Sequence, residues 1–222
     1  MFLGIYYRAA LNVSSLVTLY APTHFQAIAQ AARLLFELSV DVHLLDLIAD
    51  APAKMAAFSD VELLKAAQDG VTVADGDELQ TELALWRAFI SEKEEAIHAR
   101  RSSLWPPGRL THWSGINQLK DRVALLPIRY ATLHSRNYRL LSWYAHAGLT
   151  GISMDAAGYA AIAAKSLGVA AECYVNILRS IIAELHLEKA VEGIQKKMEY
   201  AQLLAFADSE ATAEGLRREI LG

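Results

Sequence analysis

Arg139 and His146 stand seven residues apart in the stretch WSGINQLKDRVALLPIRYATLHSRNYRLLSWYAH, residues 113–146, with Ser142 and Trp143 between them. On a helix, that spacing stacks the two side chains two turns apart on one face. A guanidinium and an imidazole so placed can work around one phosphate. The histidine, near its ordinary pKa, takes the proton from an RNA 2′-hydroxyl, and the arginine fork neutralises the oxygens of the pentacoordinate transition state. Such a pair needs neither metal nor cofactor, and none is expected. Spacing alone is weak evidence, because Arg129 and His134 give a second match in the same stretch. A histidine just ahead of Gly148 also suits the last carbonyls of a helix.

Other polar side chains collect around this pair. Arg33 and Glu37 lie four apart within the apolar run LLFELSV of an earlier helix. They pair with each other or reach across to Arg139 and His146, because unpaired burial would cost too much. Tyr130, Tyr138, Tyr144, Trp113 and Trp143 interleave the cations and either stack nucleobases or pack as core aromatics. Asp41, His43 and Asp46 are metal-ligand types, but residue 41 does not share the face of 43 and 46, so no metal site is expected. The single cysteine, Cys173, excludes an intramolecular disulfide and a cysteine-based zinc site, and its setting AAECYVN reads as a core thiol. No phosphate-cradling glycine loop, serine elbow or DNA-binding module is present.

Charge is distributed unevenly. Residues 1–95 hold six basic and fourteen acidic side chains, residues 96–154 hold eight basic side chains against Asp121 alone, and the remainder holds seven against ten. A chain of net charge −4 therefore contains a cationic middle. With 222 residues, 54% of them hydrophobic and rich in Ala and Leu, the composition is that of helices, and the length suits one domain.

The elements that position the site follow from punctuation and period. A first helix over 4–20 stops at Ala21-Pro22, because a residue before proline is pushed out of helical geometry. Thr23 is the expected cap of a long helix over 24–50, in which Ala32, Phe36, Ser39, Val40 and His43 share a buried face with Ile28, Leu35 and Val42 on an overlapping arc. Asp50-Ala51-Pro52 opens a helix to about Gln68, followed by a loop over Gly70–Gly76. A polar helix over 77–101 precedes the longest nonhelical connection, 102–115, which carries Trp105 and Trp113. Loops of that length inside compact domains usually have a job. Short helices over 116–126 lead to a helix from Pro127 to His146. Ser153 or Asp155 caps the longest helix, 155–187, whose Ala160, Ala163, Ala164, Gly168 and Ala171 offer a narrow surface for close helix approach or for an apolar ligand. A helix over 188–207 follows, and 208–222 is a loosely attached tail or a short amphipathic piece.

Residues 9–32 lack formal charge but hold Pro22, Thr23 and His24 where a turn belongs, so two buried helices are expected rather than a membrane span. The opening MFLGIYYRAALNVSS lacks the layout of a secretory signal, and a cytoplasmic location is expected.

The segments AARLLFELSVDVHLL (31–45), HWSG (112–115), Tyr130 and YRLLSWYAH (138–146) resemble a bacterial helical family known as a domain of unknown function, with an Arg-x-x-x-Glu helix and a later Tyr-x-x-Leu-Ser-x-x-x-His segment. The likeness covers about residues 20–185. More distantly, the chain resembles the HEPN superfamily, whose helical domains often act as metal-independent ribonucleases through an Arg and a His at a dimer interface. Carried over by position, that likeness implies Arg139 and His146 as catalytic residues, supported by Arg33, Glu37, Tyr138, Ser142 and Trp113. Leu140 departs from the pattern, since many active members place a polar residue directly after the arginine. The expectation is an all-α bundle that binds or cuts RNA and dimerises through its 130–146 face. The rival reading is a helical scaffold with a protein partner.

Overall fold

The computed structural model describes residues 1–73, 80–145, 155–204 and 210–221, and among these every regular element is helical. The chain divides into two compact units, residues 1–43 with 122–222, and residues 44–121.

In the first unit, α1 (Phe2–Thr18) ends before Ala21, whose extended backbone (ψ 140°) is the conformation that Pro22 imposes on its neighbour. Thr23 is not a helix cap. It sits inside a short 3-10 turn, Pro22–His24, that runs directly into α2 (Phe25–Leu47). In α2 the side chains of Ile28, Ala32, Leu35, Phe36, Ser39, Val40 and Val42 are all essentially buried, so this helix is covered on more than one side, as its overlapping arcs of apolar residues require. Each such large apolar side chain contributes about 1.5–3 kcal/mol relative to exposure.

Facing α2 within this unit is a rod made of three segments in series: α6 (Ile128–Leu133), a π-helical turn (His134–Tyr138) and α7 (Arg139–Ala145). A regular helix turns about 100° per residue and would leave Tyr138 about 80° away from Tyr130. The wider π turn absorbs an extra residue and swings Tyr138 back to the inner side. Longest of all is α8 (Ala156–Glu184). Asp155 caps it by accepting the Gly158 N–H at 2.8 Å. Its small residues do not form one seam: Ala163 and Gly168 are buried, but Ala160 and Ala164 face outward. By length and composition α8 could cross a membrane (hydropathy 1.3), and 56% of that stretch is buried inside the fold. α9 (Glu192–Leu204) and α10 (Glu210–Leu221) follow, the latter making the expected tail a helix.

The second unit pairs α3 (Ala51–Val73) with α4 (Gln80–Leu104) and ends in α5 (Leu119–Val123), which runs over into the first. Contrary to expectation, α3 runs past Gly70 to Val73, and the rest of the expected loop, 74–76, lies outside the described residues. Gly70 lies against the Trp86 ring, so helix packing there outweighs the glycine penalty. The connection after α4 proves to be a tightly tied plug. Trp105 packs on Ala57 and Leu110, and its indole N–H donates to the Trp113 carbonyl at 3.0 Å. Asn117 accepts the Thr111 N–H at 2.9 Å and donates to the Arg109 carbonyl, while Arg101 holds the Gly108 carbonyl.

Gly115 in this plug has a φ of 79°, and a Cβ there would lie 2.9 Å from the Trp105 ring. A left-handed backbone and a rigid neighbour both oppose a side chain. Gly115→Ala is therefore expected to destabilise by on the order of 1–3 kcal/mol, read as a lower denaturant midpoint, whereas Gly4→Ala on open helix surface should be neutral or mildly stabilising.

Candidate functional site

α2 presents Arg33, Glu37 and Asp41 at successive four-residue steps, a polar ladder on an apolar helix. Arg33 Nε donates to Glu37 Oε1 at 3.0 Å and to the Tyr138 hydroxyl oxygen at 3.1 Å, and the Tyr138 hydroxyl donates to the same Glu37 oxygen at 2.6 Å. The π turn makes this triangle possible by aiming Tyr138 at α2. The ring of Tyr138 also stacks on His134 (centroids 5.3 Å, planes 19° apart) and tilts against Phe36. Arg33 and Glu37 thus pair with each other, and the rod residue they reach is Tyr138.

Arg122, at the end of α5, joins this cluster from the buried side, with its Nη1 3.8 Å from Asp41 Oδ1. Burial pulls the Arg122 guanidinium below its ordinary pKa, and the charges of Asp41 and Glu37 oppose that pull. Burial opposes the Arg33 charge too, but the hydrogen bond and charge of Glu37, with Tyr138, hold Arg33 above its ordinary value. Tyr138 is pushed up first by burial and then by Glu37. Arg122 is the participant the sequence reading missed. The available signal was Asp41 continuing the Arg33–Glu37 ladder by one step, which calls for a second cation. Asp41 therefore serves an ion pair, and His43 lies edge-on to Tyr130 and 3.3 Å from Ser180 Oγ. No group of three metal-ligating side chains occurs among the described residues.

The outer side of the rod is different. Arg136 and Arg139 are exposed, neither makes an ion pair among the described residues, and the rod contains no acid. The Arg139 guanidinium lies 5.3 Å from the centre of the Trp143 ring, which is itself 46% exposed. Ser142 is half-buried. Leu140 turns inward to a cavity of about 210 Å³ between the rod and α8, with Leu141, Tyr144 and Ile162, which accounts for an apolar residue after Arg139. His146 lies outside the described residues.

Two expected stacking platforms are excluded by burial. Trp113 is 3% exposed within the core of the second unit, and Tyr130 is fully buried. Of the five aromatics Trp143 is the exposed one, and Tyr138 and Tyr144 are half-buried. The Arg129–His134 match also dissolves. Arg129 lies over Tyr130, while His134 is half-buried against Tyr138. The cationic middle is likewise not one patch. In the second unit Arg100 lies 3.5 Å from Asp60, and Arg101 is engaged by the Gly108 carbonyl. In the first, Arg122 is buried, which leaves Arg129, Arg136 and Arg139 outward.

The chain matches no model of a known protein family, no characterised protein and no solved structure.

Two outcomes follow for the triangle. Tyr138→Phe removes a donor and an acceptor at once and is expected to cost about 1–2 kcal/mol in chemical denaturation. His134 is held below its ordinary value of 6.5 by burial, so the unfolded chain takes up the proton first. Its contribution is present above pH 6.5 and lost as pH falls below it. The melting temperature should decline from about pH 7.5 to about pH 5.5 more steeply in the wild type than in His134→Gln.

Proposed function

We propose that this chain is an RNA-binding protein of the HEPN-like kind, with the outer face of the rod as the RNA contact and Arg139 with His146 as a metal-independent cleavage pair. The observation that carries the reading is an acid-free rod on which Arg136 and Arg139 stand exposed beside an exposed Trp143. Guanidiniums take phosphate oxygens in forked hydrogen bonds, and an indole face stacks any base, so this combination favours a single strand with little sequence preference. Cleavage would proceed by attack of the 2′-oxygen on phosphorus, with departure of the 5′-oxygen. His146 takes the 2′-hydroxyl proton, Arg139 neutralises the equatorial oxygens, and solvent water gives a proton to the leaving 5′-oxygen as the 2′,3′-cyclic phosphate forms.

The rival reading, a scaffold without catalysis, draws on the triangle of Arg33, Glu37 and Tyr138, whose hydrogen bonds to one another serve the fold without any ligand.

Purified wild type, Arg136→Ala/Arg139→Ala and His146→Ala, incubated with mixed RNA in chelator, separate the two readings. Wild type should bind and cleave. The double variant should lose about tenfold or more in affinity and lower the slope of log affinity against log salt by about 1.4, as expected for two lost phosphate contacts on a single strand. His146→Ala should bind, stay folded by circular dichroism and leave the RNA intact. Absence of binding by the wild type transfers the case to the scaffold.

A further inference from the structure

α1 packs Ile5, Ala9 and Leu16 inward and leaves Leu3, Tyr7, Leu11, Val17 and, just past the helix, Tyr20 between 54% and 70% exposed. Single exposed apolar residues are ordinary, but a contiguous row of this size marks a contact surface. Leu3, Tyr7, Ala10, Ser14 and Val17 follow alternating steps of four and three, the spacing of a helix-pairing seam. Large side chains stand toward its ends and small ones at its middle. Along the flank that Val17 shares, α1 and α8 leave an apolar groove of about 350 Å³, bounded by Val13, Leu16, Val17, Tyr20, Leu167 and Tyr174.

We propose that this face is the seam of a homodimer, with α1 packed antiparallel on α1 of a second copy about a two-fold axis near Ala10. Pairing about Ala10 sets Leu3 of one copy opposite Val17 of the other and brings Tyr7 over the other copy's groove at Val13. Protrusion and recess lie on one surface, as a two-fold contact requires, because the patch must fit itself. Area agrees. Leu3, Tyr7 and Val17 on the seam, with Leu11 and Tyr20 at its margins, offer on the order of 600 Å² per copy, approaching the ~800 Å² per partner of a standard interface. Charge agrees as well: α1 carries a single charged side chain, Arg8, whereas a helix lying on a lipid surface is flanked by rows of Lys and Arg. The rod face is the poorer seam, because a two-fold axis there would set Arg136 and Arg139 against their own copies. Dimerisation through α1 leaves that face open, and it holds whether or not the chain binds RNA.

Sedimentation of the full chain at micromolar concentration should give twice the 24.4 kDa protomer mass, and Tyr7→Glu/Val17→Glu should give a monomer with unchanged helical circular dichroism. Cysteine cross-linking decides the matter even if that variant misfolds, since native Cys173 is buried and silent. Ala10→Cys should form a disulfide with itself, and Leu3→Cys mixed with Val17→Cys should form the mixed disulfide ahead of either homodimer. A monomeric wild type overturns the proposal, and its pelleting with phosphatidylcholine–phosphatidylserine vesicles would assign the face to lipid instead. A dimer in which Leu3→Cys couples to itself, or in which only Arg139→Cys cross-links, overturns it too.

Discussion

Glu37 accepts hydrogen bonds from two partners that lie far apart in sequence, Arg33 one turn before it and Tyr138 across the first unit. A half-buried carboxylate must be satisfied wherever it sits, and here the satisfaction sets geometry. The hydroxyl of Tyr138 reaches α2 because the rod takes a wider turn over His134–Tyr138, and that turn sets the phase of every residue after it. Arg139 and Trp143 face outward, and Leu140 and Leu141 face α8, as a consequence of where Tyr138 is held. π turns occur mostly as single insertions inside helices, frequently at functional sites, and this one lies immediately before the proposed catalytic arginine.

The fold class was legible because helical period and punctuation are local. Buried arcs of α2, the break at Ala21-Pro22 and the Asp155 cap all follow from residues within a few positions of one another. What escaped was nonlocal. Nothing near Gly70 announces that Trp86 will pack over it, so residues 70–73, expected to begin a loop, are helix. Nothing in HSRNY announces a π turn, and the contact it serves is with Glu37, about a hundred residues earlier. Among the site residues, the Arg33–Glu37 pair was readable as four-residue spacing on an apolar helix, while its partner Tyr138 required the tertiary fold. Trp113 and Tyr130 carried the right chemistry for base stacking, yet core burial claims both.

Charge shows the same limit. Eight cations in one segment suggest a single basic surface, but the fold divides them between two units and commits Arg100, Arg101 and Arg122 to local partners. The surface that remains is narrower: on an acid-free rod, Arg136 and Arg139, which make no ion pair among the described residues, stand with one exposed indole. Opposite in character is α1, nearly uncharged and apolar on its outer side. On the proposed readings one face would take a polyanion and the other a second copy, and the two surfaces would not compete.

The most direct test is amide hydrogen exchange of the full chain with and without a single-stranded RNA oligonucleotide at low salt. The account predicts slowed exchange confined to residues 135–143 of the rod, with α3 and α4 unchanged. Protection absent from the rod, or appearing only on the second unit, would contradict it.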